Sequence, residues 1–497
     1  MDFQQIPGDW QVPGSYTEIQ NVPAQGTLAG MPLRCVIVGQ NSSSVPNTVY
    51  TEVTPDQAAL LFGIGSAVAQ AVSAFSREVP TLTVDVVTIK AAENSTTASA
   101  TLKFSGTATA GATGAAILGG YRVSYAVAAG STATQAAAAF VAACNGKAAN
   151  AANSALFTAT GLAATLQADG VTVNLSSWEV GAFTNDIDIR MSSASFDQVP
   201  GITVAVTGMA NGAGAPDITP ALQALGGTWY TDLILMLNDQ ANLGAAVSEA
   251  KARNNAMVAK DLRIWAAYRG TQGQILSLTA AFSTAEELVL IGETAPRWSP
   301  WNAAAIAAAQ GAQSLNNDPA RQLRGIALNG LAGLAPDGTD QFSPTQRNVL
   351  LQGGCTTLQI NRDGTVAFER VVTTRQVDPK SQVATGPWDV MIPAIAARVR
   401  YEWNAYIEAT YYNAKLADVG SSLENSTGVV TVRTLLASWV AQCLLYQNQG
   451  WIDDVATLGP QAVFERDASN RNRVNATLPI MPMGSLIVLA NILQVQV

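Results

Sequence analysis

A chain of 497 residues is long enough for two to four domains. Its 48% of hydrophobic residues is ordinary for a globular protein, whereas its 13% of charged residues is about half the usual share. A net charge of −9 and the lack of any basic run argue against a nucleic-acid partner, and the absence of histidine excludes Ser–His–Asp and Cys–His catalysis together with most zinc and non-haem iron sites.

So little charge leaves large surfaces of Ala, Ser, Thr, Gly and Asn, which suits a protein covered by neighbours. The start MDFQQIPGDW lacks the basic and apolar regions of a secretory signal. The longest apolar runs, such as Leu486 to Leu493, are too short to span a bilayer. Synthesis is therefore expected in the cytoplasm, without membrane insertion. Cys35, Cys144, Cys355 and Cys443 have no CxxC spacing and read as buried free thiols, with disulfides between subunits as the alternative.

Residues 1–31 are interrupted by Pro7, Gly8, Pro13, Gly14, Pro23 and Gly26 and read as an extended arm, with one short strand at Val12 to Ile19. Residues 32–90 follow an α/β pattern. Leu33 to Val38 is a strand covered on both faces. A helix starts at N-cap Thr54 and Pro55, with Ala58, Leu61, Phe62 and Ile64 as its apolar stripe. Residues 66–77 form a second helix and Leu82 to Ile89 a strand. Residues 91–212 are rich in Ala, Thr, Ser and Gly and read as an inserted β-rich domain. Its strands are Tyr121 to Val127, Val171 to Leu175, Ile187 to Arg190 and Ile202 to Val206, and its one helix is Thr134 to Cys144.

The α/β pattern resumes over residues 213–378. Strands at Trp229 to Leu237, Leu262 to Tyr268 and Leu288 to Ile291 alternate with helices at Ala241 to Asn254, Thr271 to Phe282 and Ala303 to Leu315. A short strand at Ile326 to Leu328 and a helix at Ser343 to Leu351 follow. Arg362-Asp363-Gly364 turns a hairpin. Residues 379–484 read as a C-terminal α+β domain with helices at Pro393 to Leu416 and Val432 to Gln447. A second hairpin joins Ala462 to Glu465 and Val474 to Met481. Residues 485–497 form a strand-like arm, an unpaired edge. The predicted fold is multidomain α/β and α+β: an interrupted doubly wound α/β core, a β-rich insertion, a C-terminal α+β domain and extended terminal arms.

Six stretches invite a chemical reading. In GMANGAGAPDITP, Gly208, Gly212 and Gly214 lack the Lys and hydroxyl of a phosphate loop, and Asp217 or Thr219 would occupy the helix's own N-terminal donors. A domain-joining loop is the better reading. Asp337 to Asp340 lacks the ligand ladder of a calcium loop and reads as a turn. Trp298 and Trp301 could form a sugar platform, but aromatics packed on a core are commoner. Asp453-Asp454 reads as a solvated pair. The sequons at Asn94 and Asn425 carry no weight without a secretory signal. No catalytic, cofactor or metal constellation emerges. Arms that cannot bury themselves add strands to another subunit's sheet, and links of that kind build rings or helices.

Several stretches resemble the contractile tail sheath proteins of Mu-like tailed bacteriophages: IPGDWQVPGSYTEI near the start, MANGAGAPDITPALQALGGTWYTDLILMLND, GETAPRWSPW, DPARQLRGIALNGLAGLAP, and the hairpin INRDGTV with the Thr373-Thr374 that follows. They occur in the family's order along nearly the whole chain. The resemblance implies a subtilisin-like core topology without protease chemistry, no enzyme activity and no cofactor. It implies a structural subunit in stacked rings around a tail tube, assembled in the bacterial cytoplasm into a virion and contracting to drive the tube through the host envelope. Implied partners are neighbouring copies, the tube protein, the baseplate and the tail terminator or collar.

By the same resemblance, Val12, Tyr16 and Ile19 and Leu486, Val488, Ile492, Leu493 and Val495 are arm residues. The acceptor strands carry Val463, Phe464, Val474, Leu478 and Ile480. Arg398 and Lys415 are the tube-facing candidates. The alternative is a carbohydrate-active or other enzyme on an α/β scaffold.

Overall fold

The computed structural model describes residues 28–146, 154–424 and 426–494. The chain divides into two compact units. One is Pro32–Arg398 together with residues 484–494, and the other is Val399–Met483 together with residues 28–31.

The first unit starts with β1 (Cys35–Gln40), β2 (Val49–Tyr50), α1 (Pro55–Phe62), α2 (Ala67–Glu78) and β3 (Val84–Ile89). Every residue of β1 and β3 is buried, as expected for strands covered on both faces. Thr54 caps α1 in a capping box with Gln57, and Pro55 takes the first helical position. The expected stripe is only half right. Ala58 and Phe62 are buried, whereas Leu61 and Ile64 face solvent. The helix stops at Phe62, and Gly63, at a φ of 92°, turns the chain before Ile64 can continue the period.

The insertion holds β4 (Thr97–Gly106), β5 (Ala112–Leu118), β6 (Tyr121–Val127), α3 (Ala133–Asn145), α4 (Ala155–Thr160), β7 (Leu162–Leu166), β8 (Thr172–Val180), β9 (Ile189–Met191) and β10 (Ile202–Ala210). They build two antiparallel sheets, in the orders β10-β4-β8-β7 and β6-β5-β9. On β4 alternate residues are buried, Ala98, Ala100, Leu102 and Phe104, and Phe104 packs with Tyr125 and Phe140. One face is core and the other is polar.

The chain re-enters the core through α5 (Thr219–Ala224), β11 (Asp232–Leu235), α6 (Gln240–Asn254), β12 (Arg263–Arg269), α7 (Gln272–Ala280), β13 (Leu288–Glu293) and α8 (Pro300–Asn317). The resulting six-stranded sheet has the order β13-β12-β11-β1-β3-β2, parallel except for β2. The strands before and after the insertion thus meet side by side at β1 and β11. Helices α2 and α8 pack on each other and on β1, β11 and β12, while α5 and α6 pack on each other and on β3 and β12. Gly311 lets α8 approach the Trp265 indole, which a Cβ would overlap.

Then come α9 (Pro344–Gln352), β14 (Thr357–Ile360), β15 (Val366–Arg370), β16 (Val372–Thr373) and β17 (Trp388–Asp389). β14 and β15 form the expected hairpin, and Gly364 carries its positive φ of 82°. The unit extends to Arg398 rather than ending at residue 378, because β17 pairs with β16. Arg370 also holds Asp389 at 2.8 Å, and Arg375 lies 3.8 Å over the Trp388 ring.

Helix α10 (Met391–Tyr411) runs across the division, with Pro393 tolerated in its first turn. Beyond it lie β18 (Lys415–Leu416), β19 (Val429–Val430), α11 (Val432–Asn448), β20 (Ile452–Asp453), α12 (Val455–Leu458), β21 (Val463–Arg466), β22 (Val474–Thr477) and β23 (Met481–Pro482). The core of the second unit is aromatic. Trp403 meets Trp439 edge to face at 5.1 Å and Phe464 at 6.3 Å, and Tyr446 stacks on Trp451. The buried Glu402 accepts the Ala29 and Gly30 amides at 2.7 and 3.2 Å, which fixes the end of the N-terminal segment.

Candidate assembly surfaces

Parallel α/β sheets bind ligands at the carboxyl ends of their strands, where the strand order reverses. That edge is occupied by the insertion's own side chains. Beyond β1, Gln40 donates to the Val180 carbonyl at 2.5 Å. The Glu179 carboxylate takes the Ala67 amide at 2.8 Å, at the N-terminus of α2, where a phosphate would sit in a nucleotide protein. Beyond β11, Asn238 donates to Asp186 at 3.1 Å. Beyond β12, Arg269 holds Asp188 at 2.7 Å. Arg190 shares Asp188 and reaches the Ala295 carbonyl beyond β13 at 2.8 Å. Burial pushes the Glu179 carboxyl up to about 7, against the opposing pull of Ala67 and Asn41. It also raises Asp186, partly offset by Asn238 and Arg269.

The glycine loop belongs to the same junction. Thr96 and Ala213 exchange main-chain hydrogen bonds, Asn185 grips both the amide and the carbonyl of Gly212, and Ala182 donates to Gly214. Gly214, at a φ of 96°, has no room for a Cβ beside Ser95. The segment that leaves the core and the segment that returns are thus fastened together. The short helix α5 has no side-chain cap of its own, but Asp217 accepts the Thr219 amide at 2.9 Å, as the carboxylate at its start suggests.

Trp298 and Trp301 are buried, with Trp301 edge-on to Phe183, so no aromatic platform faces solvent there. Asp337 pairs with Arg297. All four cysteines are buried free thiols.

The second unit presents a two-stranded hairpin. Val463 to Arg466 pair with Val474 to Thr477, and among the described residues neither outer edge is paired with a further strand. Asp467 locks the turn by accepting from the Ser469 hydroxyl and amide, Asn470 and Asn475. These bonds, that of Ser469 foremost, hold its carboxyl well below the usual range. Arg466 bridges Asp418 and the Arg471 carbonyl. Phe464 anchors the hairpin on Trp403, whereas Val463 is exposed. Leu478 and Ile480 lie beyond β22 in no strand.

The strand expected from Ser485 onward does not form: residues 484–494 make no ladder. Ser485 lies against the Met391 sulfur, and Arg324 donates to the Ile487 carbonyl. Leu486, Val488, Ile492 and Leu493 are 75%, 78%, 90% and 88% exposed. A strand without a partner has no ladder to join. Val12, Tyr16, Ile19 and Val495 lie outside the described residues.

Lys415 corrects the sequence reading. It sits not on a helix but in β18, because α10 stops at Tyr411 and the backbone of residues 415–417 bonds to Gly428 and Val430. Arg398 donates to the Asn316 carbonyl at the C-terminal end of α8, a favourable place for a cation.

Sequence reasoning missed the residues at the sheet edge. A signal for them exists: Glu179, Asp186, Asp188, Arg190 and Asp197 crowd together after a long stretch nearly free of charge.

Comparison with known proteins completes the picture. Residues 211–374 match the family described as the phage tail sheath protein central domain. The chain is 25% identical to the Mu-like prophage FluMu tail sheath protein of Haemophilus influenzae, over 96% of this chain and 95% of that one. Among solved structures, the sheath tail protein of Desulfitobacterium hafniense aligns with a TM-score of 0.46 at 13% identity, covering 95% of this chain and 97% of that chain. That of Listeria innocua aligns with a TM-score of 0.45 at 12% identity, covering 92% and 94%. The domain match and the relative that parallels the chain nearly end to end make it similar to phage tail sheath proteins.

Proposed function

We propose that this chain is the structural subunit of a contractile tail sheath, polymerising as stacked rings around a tail tube and shortening to drive that tube through a host envelope. The observation that carries the reading is the exposed apolar C-terminal segment, in a chain that also offers a hairpin with free edges. Full burial of each such side chain is worth about 1.5–3 kcal/mol, so the segment is stabilised by covering it. Leu486, Val488, Ile492, Leu493 and Val495, with Val12, Tyr16 and Ile19 of the N-terminal arm, would add strands to a neighbour's hairpin at Val463, Phe464 and Val474, extended by Leu478 and Ile480. A head-to-tail link of this kind builds rings where the rotation closes and helical arrays where it does not.

In this reading the sheet of residues 32–90 and 213–378 is a core of subtilisin-like topology, residues 91–212 lie outermost and the second unit, residues 399–483, faces the tube. The subunit is a non-enzymatic part of the virion tail, assembled in the host cytoplasm, with tube, baseplate and terminator or collar as its further partners. Lys415 is the better tube-facing candidate, since Arg398 already serves Asn316. Electron microscopy of the purified chain is expected to show rings or tubes. A chain lacking residues 485–497 is expected to keep its circular dichroism yet form none. Normal tubes from it would refute the arm assignment, and a stable monomer with hydrolytic activity would favour the enzyme.

A further inference from the structure

β10 ends the four-stranded sheet of the insertion. Its Ile202 to Thr207 backbone pairs with β4 on one side, and among the described residues no main-chain hydrogen bond along Thr203 to Ala210 reaches any other strand. Ala205, Val206, Thr207 and Gly208 are exposed. Unpaired edges are ordinarily guarded by charge, proline, shortness or a covering element. The other edges here follow that rule. β7 is short and lies under α3, with Asn145 donating to the Ala164 carbonyl at 3.1 Å. β2 has two residues. β6 carries Arg122, paired with Asp197. β10 runs for nine residues with neither charge nor proline; β9 lies close to it, yet Ala205 to Gly208 stay exposed.

Its sequence also says what fits it. Thr203-Val204-Ala205-Val206-Thr207 reads the same in both directions. Two copies laid antiparallel about a two-fold axis at Ala205 set Thr203 opposite Thr207 and Val204 opposite Val206, and the same again across the axis. An isologous contact demands this self-complementarity. Thr–Thr and β-branched pairs across strands are stabilising, and no like charges meet.

We propose that unassembled copies of this chain pair through β10, joining their insertion sheets into one continuous antiparallel sheet. The inference stands on β10 alone and not on the sheath reading: a polar helical array has no two-fold between neighbouring members, so the pair is one of unassembled copies.

The test is a cross-link in the full-length chain. Directly opposite residues of an antiparallel pair lie about 4.5–5.5 Å apart, inside the Cα range of a disulfide. Ala205→Cys should therefore oxidise to a covalent dimer on a non-reducing gel. Gly208→Cys is the register control: an added Cβ meets nothing within 4 Å there, but the residue opposite would be Ile202, which leaves the two introduced thiols about 20 Å apart at ~3.4 Å per residue. The four native thiols are buried and silent. Expected is at least about tenfold more dimer from Ala205→Cys than from Gly208→Cys, given the geometry a disulfide needs; equal yields would overturn the proposal. Sedimentation gives an independent readout. Ala205→Lys sets two ammonium groups face to face and should shift the pair to monomer, while Ala205→Ser leaves it intact. A dimer unchanged by Ala205→Lys would equally overturn it.

Discussion

Glu179 allows a quantitative test of how the insertion is fastened to the core. Its carboxylate receives the Ala67 amide of α2 at 2.8 Å and the Asn41 side-chain amide at 3.5 Å. A charged acceptor at a helix N-terminus is favourable, by about 1.5–3 kcal/mol for a charge-assisted hydrogen bond. Burial opposes it and wins, since the carboxyl rises from 4.5 to about 7. At about 1.36 kcal/mol per pH unit, that rise corresponds to roughly 3 kcal/mol. The folded value lies above the unfolded one, so the contribution to stability is full below pH 4.5 and is lost as pH rises through 7. Glu179→Gln keeps an acceptor for Ala67 and removes the titration. In urea unfolding at about pH 4 the variant and the parent should agree to within ~0.5 kcal/mol; at about pH 8.5 the variant should be more stable by roughly 3 kcal/mol. Glu293, pushed up to about 8 by burial, titrates in both chains and cancels in the difference. A variant less stable than the parent at both pH values would refute the reasoning, because it would mean that the ionised carboxylate is a net stabiliser of the junction.

Two further outcomes follow from packing. Gly311→Ala puts a methyl into the Trp265 indole and should cost about 1–3 kcal/mol by overpacking, read as a lower urea midpoint with altered tryptophan fluorescence; an unchanged midpoint would mean that α8 shifts freely. The four thiols are buried, and burial raises their pKa, to about 12 for Cys144 and Cys443. A thiol reagent at about pH 8 should label none of them until the chain unfolds, and rapid labelling of the native protein would contradict this packing.

How much was legible in advance depended on how local the cause was. Thr54-Pro55, Ser343-Pro344 and the Asp363-Gly364 turn announce a cap, a first helical turn and a hairpin within a few residues, and each forms as read. The continuous apolar runs of β1, β3, β12 and β13 revealed a sheet buried on both faces. Inside the insertion the reading failed where side chains are small. β4, β5 and β7 are built largely of Ala, Thr, Ser and Gly, whose alternation carries little hydrophobic contrast, and they went unseen. The apolar pattern predicts a helix to Leu416, but α10 stops at Tyr411, and backbone pairing with residues 428–430 takes over beyond it.

Composition and local pattern were enough to establish the class of the molecule. Zero histidine excludes histidine-dependent catalysis, and the alternation of strands with helices calls for an α/β core interrupted by a polar insertion. Short-range capping and turn chemistry, which act within a few residues, set most element boundaries. What stands at the carboxyl edge of the sheet emerged from the folded chain alone, where Glu179, Asp186, Asp188 and Arg190 of the insertion occupy it. The same is true of GMANGAGAPDITP, which closes the insertion's neck against Thr96 and Asn185. Such pairings join residues up to 140 positions apart, and they depend on burial and distance, which no stretch of sequence encodes locally.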